Sequence, residues 1–239
     1  MFKKDLKREK LNVLKMLEGK YGRISENKIE ILNCGRIGNA TVFRYRDFQR
    51  DLTIKDFSES PWLMRNTFGK LFIKNEVSKM IKLRENKSIP EGVKRISPYA
   101  FAFNYIEGKP LKGIHGKVLD KEFFITLEKN VKRMQDKNIV HLDLRNLGNI
   151  IMGKDGYPYI IDFQSSISIK FLPKFIKKIL LDSDLSGVYK AWDKKCVEEL
   201  DEGRRKFLEK FNKIRKVWIL KGYPLEKFIR KIKNSTLLK

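Results

Sequence analysis

The stretch Val140–Met152, VHLDLRNLGNIIM, places a histidine, an aspartate, an arginine and two asparagines between apolar residues. It is followed by Tyr159–Ser166, YIIDFQSS, where one aspartate closes an apolar run. Short apolar runs bounded by turn residues read as strands, and Asp155-Gly156 between NIIM and YPYIIDF marks a tight turn. The two runs therefore read as a hairpin with Asn149 at its entry and Asp162 at its exit. Polar groups gathered at strand ends mark a site, because a core would have to satisfy each of them.

Working outward, the rest of the chain supplies elements on either side. Leu6, Leu11, Leu14 and Leu17 recur at helical spacing over residues 3–18, and Gly19 and Gly22 stop that helix. Two β-rich runs flank a turn with Gly35 and Gly38, and DLTIKDF is a further strand. PWLMRNTFGKLFIKNEVSKMIKLRE is helical in its second half, with Phe72, Val77, Met80 and Ile81 on one side. PYAFAFNYIEGKPL is a strand that breaks at Gly-Lys-Pro. Phe123, Phe124, Leu127, Val131 and Met134 then keep a 3.6-residue period, with Asp120 as cap. From Phe171 onward the pattern is helical and basic. The order predicts an α+β chain in two lobes, its change of character near Glu107–Pro110. The expected divisions are an N-terminal helical extension at 1–27, a lobe at 28–106 and a lobe at 107–239.

Phosphoryl transfer needs parts of the kinds this chain carries. A glycine turn admits phosphates close to backbone amides. A lysine offsets phosphate charge and a carboxylate holds that lysine. An aspartate accepts the proton of the attacking hydroxyl, and hard oxygen ligands hold magnesium. With these residues in this order, the chain resembles the eukaryotic-type protein kinase superfamily, in its bacterial lipopolysaccharide-kinase-like and RIO-like branch, over roughly residues 28 to 190. The resemblance implies a bilobal fold, ATP as donor, and magnesium or manganese as cofactor. It assigns nucleotide binding to the lobe at 28–106 and catalysis with acceptor binding to the lobe at 107–239. HLDLRNLGN resembles the catalytic loop, which makes Asp143 the base, Asn149 a metal ligand and Arg145 the cation beside the γ-phosphate. IDFQ resembles the Asp-Phe-Gly segment, with Asp162 as the main metal ligand. TIKDF resembles the strand of the ATP lysine, so Lys55 takes that role and Glu76 is its partner, with Glu85 as a rival. Gly35 and Gly38 stand for the glycine-rich loop. FNYIEGKPL resembles the hinge, with Phe103 as gatekeeper and the backbone of Asn104 and Ile106 facing adenine. His141 braces the metal-binding segment.

Three departures stand out. Kinases place the asparagine five residues after the catalytic aspartate, whereas Asn149 lies six after Asp143. An extra residue bulged at Leu147-Gly148 would reconcile the spacing; Asn146 is a rival ligand. Gln164 replaces the glycine of the metal segment, which argues against a large flip there. No Ala-Pro-Glu follows Asp162, and the short segment favours a small or lipid-linked acceptor, or unregulated activity. Asp184 reads either as a holder of the catalytic-loop backbone or as a helix cap.

The net charge of +24 attracts polyanions, or simply solvates the surface. The segments FLPKFIKKILL and KVWILKGYPLEKFIRKIKN read as basic amphipathic pieces suited to an anionic membrane surface, or as ordinary helices with lysines outward. No recognised RNA-reading motif is present, and the Cys and His residues lack zinc spacing. The first twenty residues contain no apolar signal core, and a cytoplasmic location, peripheral on the inner membrane surface, is expected. These features point to a kinase of a lipopolysaccharide-core or other lipid-linked sugar. The alternatives are a RIO-like Ser/Thr protein kinase and a non-catalytic pseudokinase binding module.

Overall fold

A computed structural model describes residues 5–35 and 39–217. Helix α1 (Leu6–Tyr21) leads into strands β1 (Ile29–Asn33), β2 (Thr41–Arg46) and β3 (Asp51–Asp56). Helix α2 (Trp62–Met64) runs through a π-turn at Arg65–Gly69 into α3 (Lys70–Lys82). Strands β4 (Lys94–Ser97) and β5 (Ala100–Asn104) complete an antiparallel sheet of order β1-β2-β3-β5-β4. Strand β6 (Gly108–Pro110) and helix α4 (Lys121–Asp136) open the second part. Then come β7 (Ile139–Val140), β8 (Ile150–Gly153), β9 (Pro158–Ile160), β10 (Ile167–Ser168), α5 (Lys174–Lys195) and α6 (Glu202–Val217). The expected α+β plan, an N-terminal sheet followed by a mostly helical part, is the observed one.

Strand alternation decides what each face of the sheet carries. Leu52 and Ile54 of β3 face α1, where they pack with Val13, Leu17, Phe43 and Ala102. Phe101 and Phe103 belong to the core on the other side, with Phe57, Phe72 and Ile73. Lys55 follows Ile54, so its side chain shares that inner side and its ammonium lies 5.9 Å from the Phe101 ring centre.

Some expectations shift. The helix expected only in the second half of residues 61–85 begins at Trp62, because the π-turn carries it across Gly69. Its inward residues are Phe72, Ile73, Glu76 and Met80, while Ile81 is 47% exposed. At 3.6 residues per turn Phe72, Ile73, Glu76 and Met80 share one side of this helix, while Ile81 falls opposite Phe72. Strand β4 and the two-residue strands β7 and β10 are too short for a legible alternation.

Among the described residues, two of the connections between the sheet side and the helical part lie outside the Lys55 cluster. In the first, Tyr105 N donates to Asp51 O of β3 at 2.8 Å, while Lys154 N donates to Glu107 O at 2.7 Å. In the second, the loop after α3 is tied down by three bonds. Asn86 Nδ2 donates to Asn130 O of α4 at 2.8 Å, Ser88 Oγ to Pro158 O at 2.6 Å, and Ile160 N to Ser88 O at 2.7 Å.

Candidate active site

Lys55 stands between two carboxylates. Its Nζ donates to Glu76 Oε1 at 2.7 Å and Oε2 at 2.9 Å, and to Asp162 Oδ1 at 2.7 Å. Glu76 Oε1 also accepts from Phe163 N at 3.1 Å. Burial alone would neutralise the lysine, but the Asp162 and Glu76 charges overcome it and hold the ammonium above the usual lysine range. Burial likewise works against ionised Asp162, and Lys55 reverses that and keeps its carboxyl below the usual range. Burial pushes the Glu76 carboxyl up, against the pull of Lys55. The rival Glu85 lies elsewhere, exposed and paired with Lys137.

Asp162 has φ +67°, a left-handed conformation uncommon for a residue with a side chain. The segment before it is braced by His141, which is fully buried. His141 Nε2 lies 2.9 Å from Ile161 O, an acceptor, so Nε2 carries the proton. Nδ1 then accepts from Asp143 N at 3.3 Å, and burial holds the ring's pKa below the ordinary histidine value. The ring also packs edge-on to Phe163, with centroids 4.8 Å apart.

The six-residue interval after Asp143 is absorbed by a 3₁₀ turn at Leu147–Asn149, not by a glycine bulge. Asn146 caps that turn, its Oδ1 accepting from Gly148 N at 3.1 Å. Gly148 is not among the positive-φ glycines, so its conformational freedom is not what the loop uses. The turn delivers Asn149 to the aspartate, with Nδ2 donating to Asp143 Oδ2 at 2.9 Å and to Asp143 O at 3.2 Å. Across the hairpin, Ile161 N donates to Asn149 O at 3.0 Å, which makes Asn149 and Asp162 near neighbours. An amide oxygen and a carboxylate so placed suit magnesium or manganese, hard ions that take oxygen donors from protein and phosphate together.

Asp184 lies inside α5, so the cap reading fails. Its two oxygens accept from His141 N at 2.6 Å and Leu142 N at 2.8 Å, and burial pushes its pKa up to about 7. Those bonds hold Leu142 at φ +66°. Gly187, next on the helix, is required by close approach: a Cβ there would sit 2.7 Å from Leu144 C and 2.9 Å from Arg145 N.

Arg145 departs from its expected place beside a phosphate. Its Nη1 donates to Ser186 Oγ at 2.9 Å, and its Nη2 to Asn212 Oδ1 of α6 at 3.0 Å. Lys190 of α5 adds a bond from Nζ to Arg145 O at 2.7 Å. Ser186, Gly187, Lys190 and Asn212 were not singled out from sequence. Only the small pair Ser186-Gly187 beside Asp184 offered a signal.

A cavity of about 290 Å³ opens between sheet and hairpin, lined by Asn33, Gly35, Val42, Lys55, Asp162 and Gln164 among others. Gly35 is another close approach, since a Cβ there would lie 2.1 Å from Ala40 O. Gly38 lies outside the described residues. Asn104 ends β5 and Ile106 sits between β5 and β6, at the sheet-to-helix junction. Asn104 N donates to Glu91 O at 2.8 Å. Phe103 is buried against Phe101, with ring centres 5.9 Å apart.

The RIO domain model matches residues 36–204. This chain belongs to the RIO domain family. Two solved structures of the Rio2 kinase from Chaetomium thermophilum share the fold at 14% identity. The first has a TM-score of 0.59 and covers 86% of this chain and 77% of its own. The second, a complex with ADP, Mg2+ and phosphoaspartate, has a TM-score of 0.57 and covers 85% of this chain; this chain spans 66% of that one. No curated protein matches. Within this RIO chain, Lys55 binds Glu76 and Asp162, and Asn149 binds Asp143 and pairs with the backbone of Ile161 next to Asp162, while Arg145 bonds to α5 and α6.

Proposed function

We propose that this RIO-family chain is a Ser/Thr protein kinase that passes the γ-phosphate of ATP to a protein hydroxyl. Its class follows from the family: it is an ATP- and divalent-metal-dependent kinase. The observation that carries the reading is the Lys55 ammonium shared by Glu76 and Asp162. It ties the sheet, α3 and the metal segment at one point, on the wall of the same cavity as Gly35.

In this reading, Lys55 neutralises phosphate oxygens and Glu76 keeps it aimed. Asp143 takes the proton of the acceptor hydroxyl, with Asn149 orienting its carboxylate. Asn149 and Asp162 would hold the metal, which supplies charge neutralisation at the phosphates when bound. The carbonyl of Asn104, whose N–H is taken by Glu91 O, and the backbone of Ile106 would meet the adenine base.

The lipid-linked sugar acceptor finds no support in the comparisons, and neither does the lipopolysaccharide-kinase branch. Among the described residues no helix is long and apolar enough to cross a membrane. FLPKFIKKILL exposes Phe171 and Phe175 at 90% and 66%, but most of KVWILKGYPLEKFIRKIKN lies outside the described residues. The RIO match favours the protein acceptor.

A second reading rests on the phosphoaspartate of the second Rio2 structure. Here an oxygen of Asp162, which is half-exposed on the cavity wall, attacks the γ-phosphorus. The bond to the β-phosphate oxygen breaks and ADP leaves.

Transfer of labelled γ-phosphate with magnesium tests both. A hydroxylamine-stable label on serine or threonine of a protein acceptor is expected. A hydroxylamine-labile label on the chain itself favours the second reading. Label only on a glycolipid fraction, or none anywhere, overturns the first. Asp143→Asn should reduce transfer by at least about 100-fold, in the range of a lost general base, while ATP still binds.

A further inference from the structure

We infer that Arg145 is a positioning residue, and that α6 takes part in catalysis by holding it through Asn212. This rests on the kinase reading above and deepens it. A catalytic-loop arginine two residues after the base is a natural phosphate contact. In this chain its guanidinium is committed elsewhere, to Ser186 on α5 and to Asn212 on α6.

The anchor is prepared on both sides. Ser186 is fully buried, and its own hydroxyl donates to Ser183 O at 2.7 Å, which leaves an oxygen lone pair aimed at Arg145. On α6, Leu208 and Phe211 are buried, and Phe207 packs edge-on to Tyr189 with ring centres 5.3 Å apart. Arg204 donates to Glu128 of α4 at 2.8 Å and lies over the Trp192 ring at 5.1 Å. These contacts set the roll and height of α6, so the Asn212 oxygen meets Arg145 at 3.0 Å without ordering a loose helix. A bond from a charged donor to a pre-placed acceptor is among the stronger kinds.

The consequence falls on Asp143. Leu144, the residue between, is buried against Gly187, and Lys190 holds Arg145 O from the same helix. The base is therefore flanked by fixed backbone: Asp184 holds residues 141 and 142, and Arg145 is tied from the other side. The RIO match ends at Arg204, and Asn212 lies beyond it, so the tie comes from a part of the chain outside the matched stretch.

The experiment compares Asn212→Leu, Asn212→Asp, Arg145→Ala and the Arg145→Ala/Asn212→Leu double variant in the full chain. Asn212→Leu is expected to lower kcat by roughly 10- to 100-fold, as a small misplacement of a reacting group does, with KM for ATP within about twofold of wild type. Asn212→Asp keeps an acceptor oxygen and should restore kcat to within about threefold. The double variant should lose little more than Arg145→Ala, since both break one tie. Multiplicative losses would overturn the inference, because they would leave Arg145 acting on phosphate independently of α6. So would a kcat for Asn212→Leu within about twofold of wild type. Amide hydrogen exchange gives a readout that does not need transfer. Asn212→Leu should speed exchange at Leu144–Asn146 and leave α4 unchanged, and unaltered exchange there overturns the tie. If the wild type transfers no phosphate, the kinase reading falls, while the exchange result still decides the tie.

Discussion

Asn149 donates to the carboxylate of Asp143 at 2.9 Å, so the residue expected to bind metal also orients the base. Asn146, the rival, spends its side chain on the turn: its Oδ1 accepts from Gly148 N at 3.1 Å and its Nδ2 donates to Asn149 Oδ1 at 3.4 Å.

Asn149→Ala should therefore cut turnover by more than about tenfold and raise the magnesium concentration needed for half-activation. Asn146→Ala should cost clearly less, since it removes a cap from one 3₁₀ turn. A magnesium titration of both variants checks the order. The reverse order would make Asn146 the ligand.

Lys55→Ala should damage both stability and nucleotide use. Glu76 is 1% exposed, and without Lys55 its carboxylate is left with the Phe163 amide. Stranding one half of a buried ion pair costs on the order of 3–5 kcal/mol. Lys55→Met/Glu76→Leu should recover at least half of that loss in urea melts, yet fail to restore phosphate transfer.

Gly187→Ala and Gly148→Ala should separate cleanly. The first drives a methyl to 2.7 Å from the backbone of Leu144, where nothing can give without moving the loop. The second meets only the Asn146 Oδ1 atom at 3.2 Å, the end of a flexible side chain. Thermal melts and turnover should show Gly187→Ala losing both, and Gly148→Ala staying near wild type.

Asp184 sets a pH dependence whose sign follows from its raised pKa of about 7. Between the ordinary aspartate value and about 7, the unfolded chain releases this proton and the folded chain keeps it. Folding stability attributable to Asp184 therefore falls as pH rises through that window, by about 1.4 kcal/mol per pH unit. Asp184→Asn lacks this loss, so urea melts should show the variant gaining on wild type from pH 4.5 to pH 7. A gap that is constant with pH would refute the assignment.

The parts legible in sequence were those in which chemistry and chain order coincide. Asp143, Asn149 and Asp162 sit at the ends of short strands, and the α4 stripe from Phe123 to Met134 is buried as its period requires. Lys55 and Glu76 were legible only through their order, since any lysine is inconspicuous in a chain with 53 Lys and Arg. What stayed hidden was determined by tertiary packing. Nothing local distinguishes an arginine that meets phosphate from one that meets α6. The Asn212 acceptor lies 67 residues from Arg145 along the chain. The 3₁₀ turn at Leu147–Asn149 was likewise obscured, because glycine at 148 suggested a bulge while Asn146 capped an ordinary turn.

The bond from Tyr105 N to Asp51 O and the bond from Lys154 N to Glu107 O leave one residue, Ile106, between them. The Asn86 and Ser88 bonds pin the sheet side to the helical side at a second place. The bonds from Lys55 to Asp162, from Phe163 N to Glu76 and from Asn75 Nδ2 to Ser166 O add a third set of ties at the cleft itself. Widening the cleft therefore has to break the bonds of that third set, and these run mostly through side chains that a substitution can remove.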